Sequence, residues 1–194
     1  MTPTKVIIAC KVFADELQYV LKDEKAVEII WIDAALHADL PRMEHELTEA
    51  LAAAKATNKD VRVFMGVGCH PDLVKLARKY GFTFSTVKNC LEAFLGGRVK
   101  ELEQNGTMLM TPGWVRAWPE IMASLGWDAT DVRINLGRYN RILLLEPGIN
   151  PLNDEEILTF FDLAQVPIEA EPLDLQSFRS SLAQLLDGPR PQPE

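Results

Sequence analysis

Three cysteines and three histidines carry most of the chemistry open to this 194-residue chain. The thiols are Cys10, Cys69 and Cys90, odd in number and widely scattered, so no disulfide framework is expected. Each lies where a β-rich run ends. Cys10 closes Lys5–Cys10, Cys69 follows Val61–Met65 within Gly66-Val67-Gly68-Cys69-His70-Pro71, and Cys90 follows Phe82–Val87. In an open parallel sheet, ligands bind beyond the carboxyl ends of the strands, where the loops converge. Cysteines gathered on that rim are candidate ligands for a soft metal, and His37, in the loop after Val27–Ile32, is a candidate fourth, with His70 beside Cys69 also able to ligate.

No Cys-x-x-Cys pair is present, which argues against a closed zinc ribbon. Single ligands from separate loops suit an open site with an exchangeable position. Three cysteines would hold a 4Fe–4S iron–sulfur cluster with one free iron, or, with His37, a Cys₃His zinc ion. The plainer readings are a small core residue for Cys10, an incidental thiol in a tight turn for Cys69, and a partly buried first-turn residue for Cys90. A different chemistry keeps the thiols without a metal: Cys69, ahead of a helix expected to open at Pro71, would be an activated nucleophile with His70 or His37 as base. His45, in Met43-Glu44-His45-Glu46, reads as solvated surface.

A second cluster comprises Trp114, Arg116 and Trp118, then Arg133, Arg138, Tyr139 and Arg141. It reads as a helix with solvated arginines, or as an anion-binding surface in which Arg116, Arg138 and Arg141 hold the ligand. Gly66-Val67-Gly68 lacks the third glycine of a dinucleotide loop, and no Gly-x-Ser-x-Gly elbow occurs.

The elements that must position these residues alternate between strand and helix. Helical spacing marks Phe13–Leu21, Met43–Lys55, Pro71–Tyr80 and Cys90–Leu102. Later helices are expected at Trp114–Leu125, Asp131–Arg138, Asp154–Ala164 and Leu173–Leu186, with strands at Arg141–Glu146 and Val166–Ala170 and a short strand or extended connector at Thr107–Thr111. Such alternation predicts a Rossmann-like, three-layer α/β/α fold with a mostly parallel sheet. One domain is expected over 1–187, with a two-lobed division near 105–112 as the alternative. The proline-rich residues 188–194 are expected to form a disordered tail.

Composition narrows the partners. Twenty Lys+Arg against 28 Asp+Glu leave a net charge of −8, without the basic patch that nucleic acid or an anionic membrane would require. Apolar runs such as Ile142–Leu145 are far shorter than a membrane span, and the N-terminus reads as a strand rather than a signal peptide. A cytoplasmic location is expected.

Several motifs together resemble the family of domain of unknown function 1638, found in bacteria and archaea. They are Ile8-Ala9-Cys10 with the acidic helix containing Glu16-Leu17, Leu36-His37 with Pro41, the turn Gly66 to Cys69, and Cys90 with Phe94 to Gly96. Gly106-Thr107, Thr111, Leu125-Gly126 and Tyr139-Asn140-Arg141 complete the pattern. The resemblance implies an anaerobic setting in the company of corrinoid-dependent methyl transfer, which favours the 4Fe–4S cluster over zinc. The expectation is thus a metal-binding protein serving corrinoid-linked methyl-transfer or redox metabolism, with a corrinoid as a further candidate cofactor. The alternatives are the metal-free Cys69 enzyme and a non-catalytic module that docks a corrinoid protein or small anionic cofactor on Trp114, Trp118 and the arginines.

Overall fold

The computed structural model describes residues 5–57 and 59–188; of the tail expected over 188–194, all but Gly188 lies outside them. Strand β1 (Lys5–Cys10) is Val- and Ile-rich and buried along almost its whole length, as a strand covered on both faces must be. It pairs in parallel with β2 (Val27–Ile32) on one side and β3 (Asp60–Phe64) on the other. With β4 (Thr83–Phe84), the order of this first sheet is β2-β1-β3-β4.

The run 82–87 supplies only two strand residues. After Phe84 the backbone bonds to the loop beyond β3 instead: Val67 N–H donates to Val87 O at 2.9 Å and Gly68 N–H to Lys88 O at 2.8 Å. Helices α1 (Ala14–Val20), α2 (Leu40–Ala56), α3 (Leu73–Lys79), α4 (Cys90–Leu95) and α5 (Val99–Leu102) belong to this half. The third begins at Leu73 rather than Pro71, because His70 Nδ1 accepts from Asp72 N–H at 3.1 Å and closes a turn first.

A second parallel sheet, ordered β5-β6-β7, contains β5 (Thr107–Met110), β6 (Arg141–Glu146) and β7 (Ile168–Pro172). Its helices are α6 (Pro112–Leu125), α7 (Ala129–Leu136) and α8 (Asp154–Ala164). Capping boxes, Asp128 with Asp131 and Asn153 with Glu156, start α7 and α8, and the first of these draws the helix start back from the expected Asp131. The period-two alternation of β6 splits its side chains between two cores. Leu143 and Leu145 join the first-half core, whereas Ile142 and Leu144 join the second.

The last helix, α9 (Gln176–Asp187), returns to the first half. There Phe178 packs edge-on to Phe64 (centroids 5.4 Å) and stacked on Phe94 (5.0 Å), with Phe13 completing the cluster. Both sheets are parallel and flanked by helices, so the fold is the expected Rossmann-like three-layer α/β class. No described helix is long and apolar enough to cross a membrane.

Candidate functional site

Strand order locates the site before any side chain is considered. The chain leaves β1 toward β2 on one side, then crosses from β2 to β3 on the other. The order therefore reverses between β1 and β3, and the loops leaving those two strands must splay apart at their carboxyl ends. Cys10 is the last residue of β1, and Cys69 lies five residues beyond the end of β3. Cys90 opens α4 after β4, the neighbour of β3, with Asn89 Oδ1 capping Glu92 N–H at 2.8 Å. All three thiols thus occupy one rim and are free.

Two glycines hold the loops of Cys69 and Cys90 together. A Cβ on Gly66 would overlap the Asn89 backbone, and one on Gly68 would sit 2.9 Å from Lys88 O. Close backbone approach, not phosphate binding, explains Gly66-Val67-Gly68.

Burial dominates the electrostatics of this rim. It pushes the Cys90 thiol up to about 12, against the lowering effect of Trp114, whose indole N–H donates to Cys90 Sγ at 3.1 Å. Burial raises Cys10 further still, and the nearby Cys90, Cys69 and Asp33 add to the rise. Cys69 is raised as well, by burial, despite a hydrogen bond from the Gly66 backbone. The helix expected to activate Cys69 starts too late to do so, and the thiol is held protonated at neutral pH.

His37 lies in the 3-10 turn Ala34–Ala38 after β2. Its Nδ1 is 3.0 Å from Ala34 O. A carbonyl only accepts, so Nδ1 carries the proton and Nε2 keeps its lone pair. Burial lowers the pKa of the ring, which favours this neutral form. His70 is buried and turned to Asp72 N–H, away from a ligand role.

The second half closes over the rim through the first turns of α6. A Cβ on Gly113 would overlap Val12 O, so the α6 backbone lies directly on the turn after β1. Trp114 reaches both Cys90 and, edge-on at 5.4 Å between centroids, His37. Arg116 Nη1 donates to Asp15 Oδ2 of α1 at 3.2 Å, while its Nε donates to Glu156 Oε1 at 2.8 Å and its other hydrogens go to Asn150 O and Pro151 O.

The expected arginine trio does not assemble. Arg138 and Arg141 lie at the amino end of β6, opposite the edge from which α6 springs. Arg141 bonds Thr107 Oγ1 and pairs with Glu169, and the Arg138 guanidinium lies 5.2 Å from the centre of the Tyr139 ring.

Glu16 and Thr111 carry signals that residue spacing alone did not assign. Glu16 is 2 % exposed, has an unpartnered Oε2, and titrates near 7, because burial raises its carboxyl, Asp15 adds to the rise, and Arg116 opposes it. Its position between Phe13 and Leu17, on the buried side of a short helix, was the legible cue. Thr111 is fully buried before α6 and its hydroxyl has no partner.

Among the described residues, no three His, Cys, Asp or Glu side chains already stand in a coordinating arrangement. The three free thiols and the Nε2 of His37 are each soft donors of the kind that suits zinc or an iron–sulfur cluster.

These features define a parallel α/β protein with a thiol-bearing switch point, closed by a helix of the second sheet. The chain belongs to the family described as "Protein of unknown function (DUF1638)", which matches residues 31–182, a span that holds Cys69, Cys90 and His37 but begins after Cys10. No curated protein matches the chain. Among solved structures, it is similar to the ABC domain in complex with L-Trp from Streptococcus pneumonia, at 14% identity and TM-score 0.34 over 100% of this chain and 88% of that one. It is also similar to N-formylmaleamic acid deformylase from Pseudomonas putida, at 11% identity and TM-score 0.30 over 93% and 92%. Likeness at this level carries no inference about ligand or activity.

Proposed function

We propose that the protein binds a soft metal centre at the switch point of its first sheet, through Cys10, Cys69 and Cys90 with His37 as the candidate fourth ligand. The observation that carries this reading is topological: the thiols follow three adjacent strands, and two of them flank the one place where strand order reverses. The tautomer of His37 supports it, since metal-bound imidazoles commonly donate their other N–H to a backbone carbonyl. Trp114 fits the same role, because N–H donation to a ligating sulfur tunes such a centre. The raised thiol pKa values disfavour a metal-free nucleophile, as they leave little thiolate at neutral pH.

A 4Fe–4S cluster is favoured over zinc, following the anaerobic, corrinoid-linked setting that the family resemblance implies. Such a centre would supply Lewis-acid or redox chemistry. The chain's own contribution is to bury Cys10 and Cys90, to hold Nε2 of His37 unprotonated, and to surrender thiol protons when a metal enters.

Metal analysis and ultraviolet–visible spectra of anaerobically purified, full-length protein test the proposal. The expected result is stoichiometric iron with charge-transfer bands, or colourless protein with stoichiometric zinc, lost in Cys10→Ala and Cys69→Ala alike. Protein that stays metal-free after anaerobic reconstitution overturns it.

A further inference from the structure

We infer a second site, one that stands whether or not a metal occupies the thiols: a cleft for a small zwitterion of the α-amino-acid class. A cavity of about 250 Å³ opens between the turn after β1, the Ala34–Ala38 turn and α6, with Lys11, Asp33, Arg116, Glu120 and Asn150 on its walls. This is below the roughly 300–1,000 Å³ of pockets for drug-sized ligands, so the occupant is metabolite-sized. Asp33 and Glu120 also line a larger cavity of about 530 Å³, which continues over Trp31, Ile32 and Leu36. The two spaces share these carboxylates as their common wall.

The charges facing the cavity divide into committed and uncommitted groups. Arg116 is saturated by Asp15, Glu156 and two carbonyls. By contrast, the side chains of Lys11 and Glu120 have no hydrogen bond or ion pair among the described residues. Asp33 spends Oδ1 on Ala35 N–H at 2.8 Å and keeps Oδ2.

Asp15, on the same wall, takes both of its hydrogen bonds on Oδ2 and keeps Oδ1, so one free ammonium faces three carboxylates with unused oxygens. A purely anionic occupant would meet those carboxylates, and a purely cationic one would meet Lys11. A ligand with one carboxylate and one ammonium satisfies both sides at once. The larger cavity is lined by Trp31, Ile32 and Leu36 together with Arg42 and Glu46, which pair with each other at 4.0 Å, and its apolar residues suit an aliphatic or aromatic side chain extending from the ammonium-bearing carbon.

The test is calorimetric titration of the full chain with L-leucine, 4-methylpentanoate, which lacks the ammonium, and isoamylamine, which lacks the carboxylate. L-Leucine is expected to saturate the protein, and each partial analogue to bind at least about tenfold more weakly, as expected for a lost charged hydrogen bond. Lys11→Met and Glu120→Gln are expected to weaken L-leucine binding similarly without changing the melting temperature of the unliganded protein, because both side chains are exposed.

Absence of saturation by L-leucine, L-phenylalanine and glycine below about 10 mM overturns the inference. So does isoamylamine binding as tightly as L-leucine, or indifference of both variants. Metal content measured in the same samples keeps the two proposals apart: loaded protein that ignores amino acids refutes only this one, and metal-free protein that binds them refutes only the other.

Discussion

Arg62 and Arg116 each tie a late helix to the first half of the chain, and they do so in contrasting surroundings. Arg62, on β3, is almost fully buried; its Nε lies 3.0 Å from Asp60 Oδ1, and Nη1 donates to Leu185 O and Gly188 O at the end of α9. Arg116, on α6, is 29 % exposed, and its partners Asp15 and Glu156 are exposed to a similar degree. Buried charge that loses its partner is costly, whereas exposed pairs exchange readily with water. The Arg62 tie to α9 is thus the costlier of the two to break, and the Arg116 tie, beside the roof of the thiol rim, the less costly.

Arg62→Met is the severest challenge to that contrast. It deprives the Asp60 carboxylate of its guanidinium and the α9 terminus of two donors, and denaturant unfolding should show a loss of about 3–5 kcal/mol. A loss under about 1 kcal/mol would place both junctions in the same class.

Glu16 sharpens the contrast through pH. Its folded pKa, near 7, lies above the ordinary 4.5, so between those values the native state holds the extra proton and stability falls as pH rises. At about 1.4 kcal/mol per unit, Glu16→Gln should stabilise the protein by up to about 3 kcal/mol at pH 8 and change little at pH 4. His37 works the other way, since its lowered pKa makes stability rise with pH up to its ordinary 6.5. Only the difference between wild type and variant isolates Glu16; parallel stability–pH curves for the two would refute the assignment.

Arg116→Met should be the mildest, costing about 1 kcal/mol. Its effect should shrink in 1 M salt, where the screening length is about 3 Å, while that of Arg62→Met should persist. Equal salt sensitivity would erase the distinction between the two arginines.

Much of this architecture was readable from the chain. The runs Lys5–Cys10, Val27–Ile32 and Arg141–Glu146 are strands over those residues, because their dense Val, Ile and Leu leave no competing helical period. The rim positions of Cys10, Cys69, Cys90 and His37 follow from the same reading. Pairing was not readable. Nothing local states that β5 to β7 form a separate sheet, nor that Leu143 and Ile142 serve different cores, since both are long-range outcomes of packing. The arginine trio failed for a similar reason. Arg116 and Arg141 are near in sequence, but a whole strand separates them in space. The turn that delays α3 depends on a side-chain contact from His70 that propensity does not register.

The return of α9 has a consequence for how the molecule is made. Phe178 fills the middle of an aromatic cluster whose other members, Phe13, Phe64 and Phe94, are all translated in the first half. During synthesis that early half waits with an open aromatic hollow while some eighty residues, the entire second sheet included, emerge between Phe94 and Phe178. The nascent chain can complete its first core only once α9 has emerged, near the end of translation.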